Sequence, residues 1–301
     1  YVIPPGIVRE QLRGSTRIQY QNEQSLSMKV FDLPAGETRA VYKNVSIDMR
    51  MYKKLKLFIH LEELNKSNLQ DDEIEAVIRL GSDLNDNYYQ IEVPLKITEE
   101  NSTLADDIWP NNMNVILEHL GKLKLQRFQE TIPVPPNELY PAYGVASPIE
   151  GLEGYKIRVK GNPNLSNIRT MMLGMKNNST TTHSAEMWFN ELRTSEFDNK
   201  GGWAAVISAD ANFADFADVS VSGRMETVGF GGIEQRVNER NQEDTKLYGI
   251  VTNVNVGQVL PKKWGVKLPF NYSISEETHD PKYDAQYQDV LFEDAENINP
   301  N

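Results

Sequence analysis

Apolar and polar residues alternate along most of this chain, which is the period of β-strands that bury one face and expose the other. Segments that favour turns separate the alternating stretches, as at 81–87 and 161–163. Strands are therefore predicted at 45–51, 54–61, 75–80, 88–93, 155–160, 168–175 and 185–192. Short strands joined by turns in this way predict an all-β fold, with a jelly-roll-like β-sandwich over residues 1–198.

Helical patterns are few. An apolar stripe predicts a short helix at 114–123, and residues 288–295 predict the start of another. A proline-rich connector at 131–137 interrupts the strand pattern between them.

The alternation becomes longer and more regular after Gly201 and Gly202. The side chains that share an apolar face are Trp203, Ala205, Ile207, Ala209, Ala211 and Phe213, then Val219, Val221 and Met225, then Tyr248, Ile250, Val254 and Val256. In the last strand, the candidates for a lipid-facing surface are Trp264, Val266, Leu268, Phe270 and Tyr272. The candidates for the opposite, pore-facing surface are Asp210, Asn212, Lys267 and Asn271.

Strands of about ten residues with one apolar and one polar face are typical of the staves of transmembrane β-barrels. Residues 199–301 are accordingly predicted to form antiparallel transmembrane β-barrel hairpins, as part of a barrel. A soluble antiparallel sheet with one face on a core produces the same alternation and is the alternative. Four strands are too few to close a barrel, so the others would come from elsewhere in a longer chain.

Composition narrows the possible functions. The 301 residues carry 31 Lys and Arg against 43 Asp and Glu, and the net charge of -12 argues against nucleic acid and against docking on anionic lipid. The longest apolar run, 203–207, is far shorter than the roughly 20 residues of a membrane helix. The absence of cysteine excludes disulfides and thiolate ligands. A start at Tyr1 predicts a piece of a longer protein.

Candidate chemistry is sparse. The four histidines lack the spacing of metal ligands, and we interpret His60 and His119 as structural. No HExxH, GxSxG or Walker motif occurs. Residues 83–87 copy the oxygen ligands that open a calcium loop, but Tyr88 and Pro94 replace its glycine and glutamate, which favours a polar turn. The sequence therefore predicts no enzyme, no cofactor and no metal site.

Several long and idiosyncratic segments follow one another along nearly the whole chain. They are GSTRIQYQNEQS (14–25), RLGSD (79–83), DNYYQIEVPL (86–95), KGNPNL (160–165), MWFNELR (187–193), DNKGGWAA (198–205), QED (242–244), LPKK (260–263) and PKY (281–283). These segments resemble the SprA (Sov) family of gliding-motility cell-surface proteins. The residues that we interpret as a structural motif within them are Trp188, Asn190, Glu191, Arg193, Gly201 and Gly202.

The resemblance implies an internal fragment of the outer-membrane translocon of the type IX protein secretion system of Bacteroidota. In that family a very large β-barrel encloses a pore that exports folded cargo and supports gliding motility. The implied partners are a PorV-like lateral-gate protein, a periplasmic plug protein, cargo with a C-terminal signal and outer-membrane lipid. The implied location is the cell outer membrane, with no catalysis and no cofactor.

Two other functions fit the same patterns. One is a carbohydrate-binding β-sandwich module of a surface glycan-uptake system, in which the aromatic pairs at 88–89 and 188–189 would stack on sugars. Because neighbours on a strand point to opposite faces, at least one member of each pair is expected in the core. The other is a glycan-cleaving enzyme, which needs a carboxylate with a raised pKa that the sequence does not single out. Both require 203–276 to be soluble sheet.

Overall fold

The computed structural model describes residues 2–9, 20, 24–66, 68–98, 102–152 and 154–296. These residues form an all-β structure built from antiparallel sheets. They divide into two compact units. The first unit holds the described residues up to 198 together with 287–290, and the second holds 199–286 together with 291–296.

The first unit contains two antiparallel sheets. Its strands are β1 (Leu26–Leu33), β2 (Thr38–Ile47), β3 (Tyr52–Leu64), β4 (Ile74–Gly81), β5 (Tyr88–Pro94), β6 (Asn111–Ile116), β7 (Lys156–Lys160), β8 (Ile168–Asn177) and β9 (His183–Phe197). Its helices are α1 (Ala105–Ile108) and α2 (Glu118–Gln129). One sheet has the order β1-β9-β3-β6, and the other has the order β2-β8-β4-β5-β7.

Both sheets contribute their apolar faces to one shared core. On β3, the alternating residues Leu57, Ile59 and Leu61 are fully buried, and Ile78 of β4 joins them from the other sheet. The helix α2 adds Leu123 to the same core. The period-two pattern has its expected physical cause in strands such as β6, where one face leaves water and the other does not, whereas β4 and β5 are buried on both faces.

The strand predicted at 45–51 is wrong, because the strand β2 ends at Ile47. The pattern arises since Met49 and Met51 are buried from a turn, where the backbone N–H of Met49 donates to the carbonyl of Leu165 at 2.8 Å. Apolar residues two apart therefore fill the core here without a strand. Neither β1 nor β6 is among the strands predicted from the sequence.

The helix predicted at 114–123 begins too early. Met113 and Val115 lie on the core face of β6 and pair with Leu57 and Leu55 of β3, so the strand continues to Ile116. The helix α2 starts only at Glu118 and continues to Gln129. Near the end of the chain, the predicted helix at 288–295 is reduced to the single short turn α3 (Phe292–Glu296).

A buried polar network fixes the segment 287–290 within the first unit. Asp289 accepts hydrogen bonds from Lys124 Nζ at 2.5 Å, from the Tyr89 hydroxyl at 2.6 Å and from the backbone N–H of Leu165 at 3.0 Å. The Lys124 and Asp289 side chains are almost completely inaccessible to water. Burial, followed by the negative charge of Asp289, raises the pKa of Tyr89 well above its ordinary value. The network therefore satisfies a buried charge pair with several hydrogen bonds.

We expect Asp289→Ala to lower the free energy of unfolding of the first unit by about 3–5 kcal/mol, because it leaves the Lys124 ammonium buried without its carboxylate. Urea denaturation followed by tryptophan fluorescence measures this loss. Asp107→Ala on the exposed turn of α1 is the matched control and should change stability by less than about 0.5 kcal/mol. Equal effects of the two substitutions would contradict a structural role for the buried pair.

The second unit is a four-stranded antiparallel sheet with the order β10-β11-β12-β13. Its strands are β10 (Ala204–Phe213), β11 (Ala217–Glu226), β12 (Glu243–Asn255) and β13 (Pro269–Pro281). Short 3-10 turns lie at Val237–Glu239, Val256–Val259 and Lys262–Trp264. Two strands of this sheet, β10 and β13, are exposed along almost their whole length, as is β2 in the first unit.

Candidate functional site

The most distinctive surface of the second unit is one face of its sheet, which we name the apolar face. The register places Ala209, Val221, Ile250 and Ile274 side by side across the four strands. The neighbouring rows are Ala211, Val219, Thr252 and Tyr272, and then Phe213, Ala217, Val254 and Phe270. Of these twelve side chains, only Ala217 is buried. A largely apolar surface that stays exposed or half-exposed in this way marks an interaction site.

The opposite side, which we name the polar face, carries hydroxyl, amide and carboxylate groups. Its rows include Ser208, Ser222, Gly249 and Ser275, then Asp210, Ser220, Val251 and Ser273, then Asn212, Asp218, Asn253 and Asn271. Cross-strand hydrogen bonds tie the rows together. Ser220 Oγ donates to Asp210 Oδ1 at 2.6 Å, and Asn212 donates to Asp218. The two faces of this sheet therefore carry side chains of different polarity.

The lipid-facing candidates are divided by the structure. Phe270 and Tyr272 lie on β13 and belong to the apolar face. The predicted strand start at Trp264 is wrong, because Trp264 ends a 3-10 turn that Gly265 closes in the left-handed conformation with φ 61°. Val266 and Leu268 precede the strand, in the connection from β12. The left-handed Gly265 separates Trp264 from the strand, although the alternation of apolar and polar residues in the sequence runs through this position.

Three of the four pore-facing candidates lie on the polar face. Asp210 and Asn212 are on β10, and Asn271 is on β13. Lys267 lies outside the strands, in the same connection as Val266. The register thus brings Asn271 into the row of Asn212, with Asp218 and Asn253 between them.

The structural-motif residues on β9 surround a β-bulge. The register between β3 and β9 shifts where Phe58 pairs with Asn190 and Lys56 pairs with Arg193. Glu191 takes a positive φ of 53° inside this bulge. Bulges of this kind re-aim a strand and increase its local twist. The Glu191 carboxylate and the Arg193 guanidinium approach each other only to 3.9 Å, on the surface.

Of the two motif glycines, Gly202 is the one that the packing requires. A Cβ atom on Gly202 would lie 2.2 Å from the backbone nitrogen of Phe230, so no larger residue fits. A Cβ on Gly201 would meet no atom within 4 Å. Gly202 therefore allows close backbone contact at the start of the second unit.

The segment 83–87 is a polar turn stabilised by Asp83. Its Oδ1 atom accepts hydrogen bonds from the backbone N–H groups of Asn85, Asp86 and Asn87, at 2.6–3.1 Å. The bond from Asp86 is the largest influence on the pKa of Asp83, and with the other bonds it outweighs the opposing effect of burial and lowers that pKa from 3.8 to about 2. Within the described ranges, no three acidic or histidine side chains are grouped closely enough to hold a metal ion.

The sign of this shift predicts the pH dependence of Asp83→Ala. A carboxylate with a lowered pKa stabilises the fold above its unfolded-state pKa of about 3.8, and this contribution is lost as the pH falls through about 2. We expect Asp83→Ala to lower the free energy of unfolding by about 1 kcal/mol at pH 7 and by less near pH 2. Urea titrations at the two pH values test this expectation. Asp86→Asn, on the same turn, should have little effect at either pH.

None of the helices in the described ranges combines the length and the apolarity that a membrane-crossing helix needs.

The fold and the apolar face together define a β-rich protein in which one sheet presents an apolar surface outward. Residues 1–295 match the SprA_N family model, which is described as a motility related/secretion protein. The chain belongs to this family, as the segments quoted above indicated. Family membership indicates a role in motility or secretion and a cell-surface or membrane association. No curated protein matches the chain.

Sequence reasoning missed one possible site altogether. His60 lies on β3, as predicted, but it borders a cavity together with Trp188 of β9. The two residues are 128 positions apart and meet only because β3 and β9 are neighbours. The aromatic pairs behave as expected in one respect, since Phe189 and Tyr89 are buried. Tyr88 is buried as well, which leaves Trp188 as the partly exposed aromatic ring of the two pairs.

Proposed function

We propose that this chain forms part of the outer-membrane translocon pore of the type IX protein secretion system, which exports folded cargo and supports gliding motility. In this proposal strands β10 to β13 are staves of a large β-barrel. The apolar face contacts lipid, and the polar face lines the aqueous pore. The observation that carries the proposal is the register of the four strands, which collects apolar side chains on one face over three successive rows.

The dimensions of the sheet support this proposal. On β10 alone, the apolar face spans about 27 Å from Ala205 to Phe213, at about 3.4 Å per residue. On the neighbouring strands, the rows of Ile207 and Ala205 also contain Glu276 and Lys246, respectively. The lipid-facing band of outer-membrane barrels is about 25 Å tall. A closed barrel also satisfies every backbone hydrogen bond within lipid, so the edges β10 and β13 require further staves.

The first unit is proposed to be a jelly-roll-like β-sandwich outside the membrane. The strand orders support this interpretation, because the chain moves between the two sheets at every step from β1 to β4 and stays within one sheet from β4 to β5. Without β7, the remaining strands form two sheets of four, as in an eight-stranded jelly roll. The strand β7 extends one of them at the edge next to β5.

The proposed partners follow from the resemblance to the family. They are a PorV-like lateral-gate protein, a periplasmic plug protein, cargo with a C-terminal signal and outer-membrane lipid. A pore that exports folded cargo needs no catalytic residue and no cofactor in this chain, because the cargo passes through the pore without being chemically changed. The serines, asparagines and aspartates of the polar face suit a wet pore wall.

The facing of the sheet is tested by an arginine on each side of the same strand. We expect Ile274→Arg to destabilise the assembled protein by about 2–4 kcal/mol, because it places a guanidinium within the lipid-facing band. Ser273→Arg is the matched control, because Ser273 is next to Ile274 on the same strand and its side chain points to the polar face. Heat-modifiable migration of the outer-membrane protein on gels measures the folded fraction. Equal losses at both positions would contradict the proposed facing.

The cellular location is tested by fractionation of cells that produce the intact protein. We expect recovery in the outer membrane, release only by detergent and co-purification with PorV-like or plug-like proteins. Recovery in a water-soluble fraction without detergent would contradict the proposal. A strain lacking the protein should also retain, inside the cell, cargo that carries the C-terminal signal.

A further inference from the structure

The first unit contains a cavity of about 840 Å³ on the outer face of the sheet β1-β9-β3-β6. Its floor includes His60 and Glu62 of β3 and Trp188 of β9, which alternate with the core residues of those strands. Loops that contain Lys66 and Thr98 border it. This volume lies within the range of about 300–1,000 Å³ that is usual for small-molecule sites.

His60 presents an unusual hydrogen-bonding group to this cavity. The side chain is almost fully buried, and its Nδ1 atom lies 2.7 Å from the carbonyl oxygen of Ile108. Because a carbonyl only accepts, Nδ1 carries a proton, and Nε2 is the ring nitrogen that remains for a further hydrogen bond. Nε2 has no hydrogen-bond partner within the described residues, although it lies 2.9 Å from Glu62 Oε1, out of line for a hydrogen bond.

Trp188 is held as a rigid platform beside this group. Its ring lies 4.6 Å from the His60 ring at an angle of 32°, and its Nε1 atom donates to Glu186 Oε1 at 2.7 Å. Glu186 is itself bound by Lys29 Nζ at 2.9 Å and by Ser27 Oγ at 2.7 Å. Burial alone would raise the pKa of Glu186, but the bonds from Lys29, Ser27 and Trp188 lower it overall. The carboxylate therefore stays charged and fixes the indole.

We propose that this cavity binds a neutral oligosaccharide. The Glu62 carboxylate accepts hydrogen bonds, which sugar hydroxyls donate, and a hydroxyl can bond His60 Nε2 whether that atom donates or accepts. The indole of Trp188 offers an apolar surface of the kind on which the C–H face of a sugar ring packs. This inference is independent of the translocon proposal, and each stands or falls by its own experiment.

The test is isothermal titration calorimetry on the intact protein, purified in lauryldimethylamine oxide so that no detergent carries a sugar headgroup. The probes are maltotriose, cellotriose, chitotriose and xylotriose. We expect at least one of them to bind with a Kd below about 1 mM. Glu62→Gln should weaken that binding about tenfold, because it removes a charged acceptor. Trp188→Ala should weaken it by at least as much.

Two control variants show whether the effects belong to the cavity. Trp203→Ala removes an exposed tryptophan of the second unit, and Glu196→Gln neutralises an exposed carboxylate of β9, so both should bind within about twofold of the unchanged protein. Glu62 is 46% exposed, so Glu62→Gln tests the site even if Trp188→Ala fails to fold. Binding of none of the four probes, or binding that both cavity substitutions leave unchanged, would overturn the proposal.

A second measurement needs no variant. A bound trisaccharide that covers Trp188 should reduce the quenching of tryptophan fluorescence by acrylamide in the unchanged protein. Quenching that stays the same at saturating trisaccharide would place the sugar elsewhere and would also overturn the proposal.

Discussion

In-register pairing of β10 to β13 is the constraint on which the proposed function of this chain depends. Side chains alternate between the two faces of a strand, and a ladder keeps neighbouring residues in rows. A slip of one residue between any two strands would move a whole set of apolar side chains to the polar face. The pairs Ala209–Val221, Val221–Ile250 and Ile250–Ile274, one from each ladder, show that this has not happened at any of the three ladders. One register therefore gives the sheet two surfaces of opposite character.

The two units solve the problem of apolar surface in different ways. In the first unit, two sheets face each other, so that residues such as Leu57 and Ile78 leave water together. In the second unit, apolar residues such as Phe270 and Tyr272 remain half exposed. For a sheet in lipid, such exposure is the stable arrangement, because the surroundings are themselves apolar. The buried Lys124–Asp289 pair adds a polar anchor that holds the segment 287–290 in the first unit.

Much of the fold follows from local pattern, and the errors have identifiable physical causes. Regular alternation correctly predicted strands such as β4, β5 and β11. Prediction was wrong at 45–51, where a turn buries two methionines, and at 264–268, where alternating letters fall in a connection. Local pattern does not contain the contacts made by folding. The short strand β6 and the helix α2 were merged because the change from period two to the helical period occurs within two residues, between Ile116 and Glu118.

The candidate sites show the same division. Most of the apolar face was predictable, because the strand period assigns its members, but the candidates Trp264, Val266 and Leu268 lie outside the strands. The cavity at His60 and Trp188 was not predictable, because the two residues come from strands that are distant in sequence and adjacent only in the sheet. The Nε2 atom of His60 is available only because Ile108, from a separate element, binds the other ring nitrogen. Pairing between distant strands is the information that a single sequence did not supply.

The central claim, that the apolar face contacts lipid, is tested most directly by a scan of single cysteines along 270–275. The 301 residues contain no cysteine, so each variant introduces one labelling site into this chain. Each cysteine is labelled with an environment-sensitive fluorophore in the intact outer-membrane protein, and quenching by nitroxide lipids is measured. We expect strong lipid quenching and blue-shifted emission at 270, 272 and 274, and water-like emission at 271, 273 and 275. Six positions with the same water-like emission and no lipid quenching would contradict the claim.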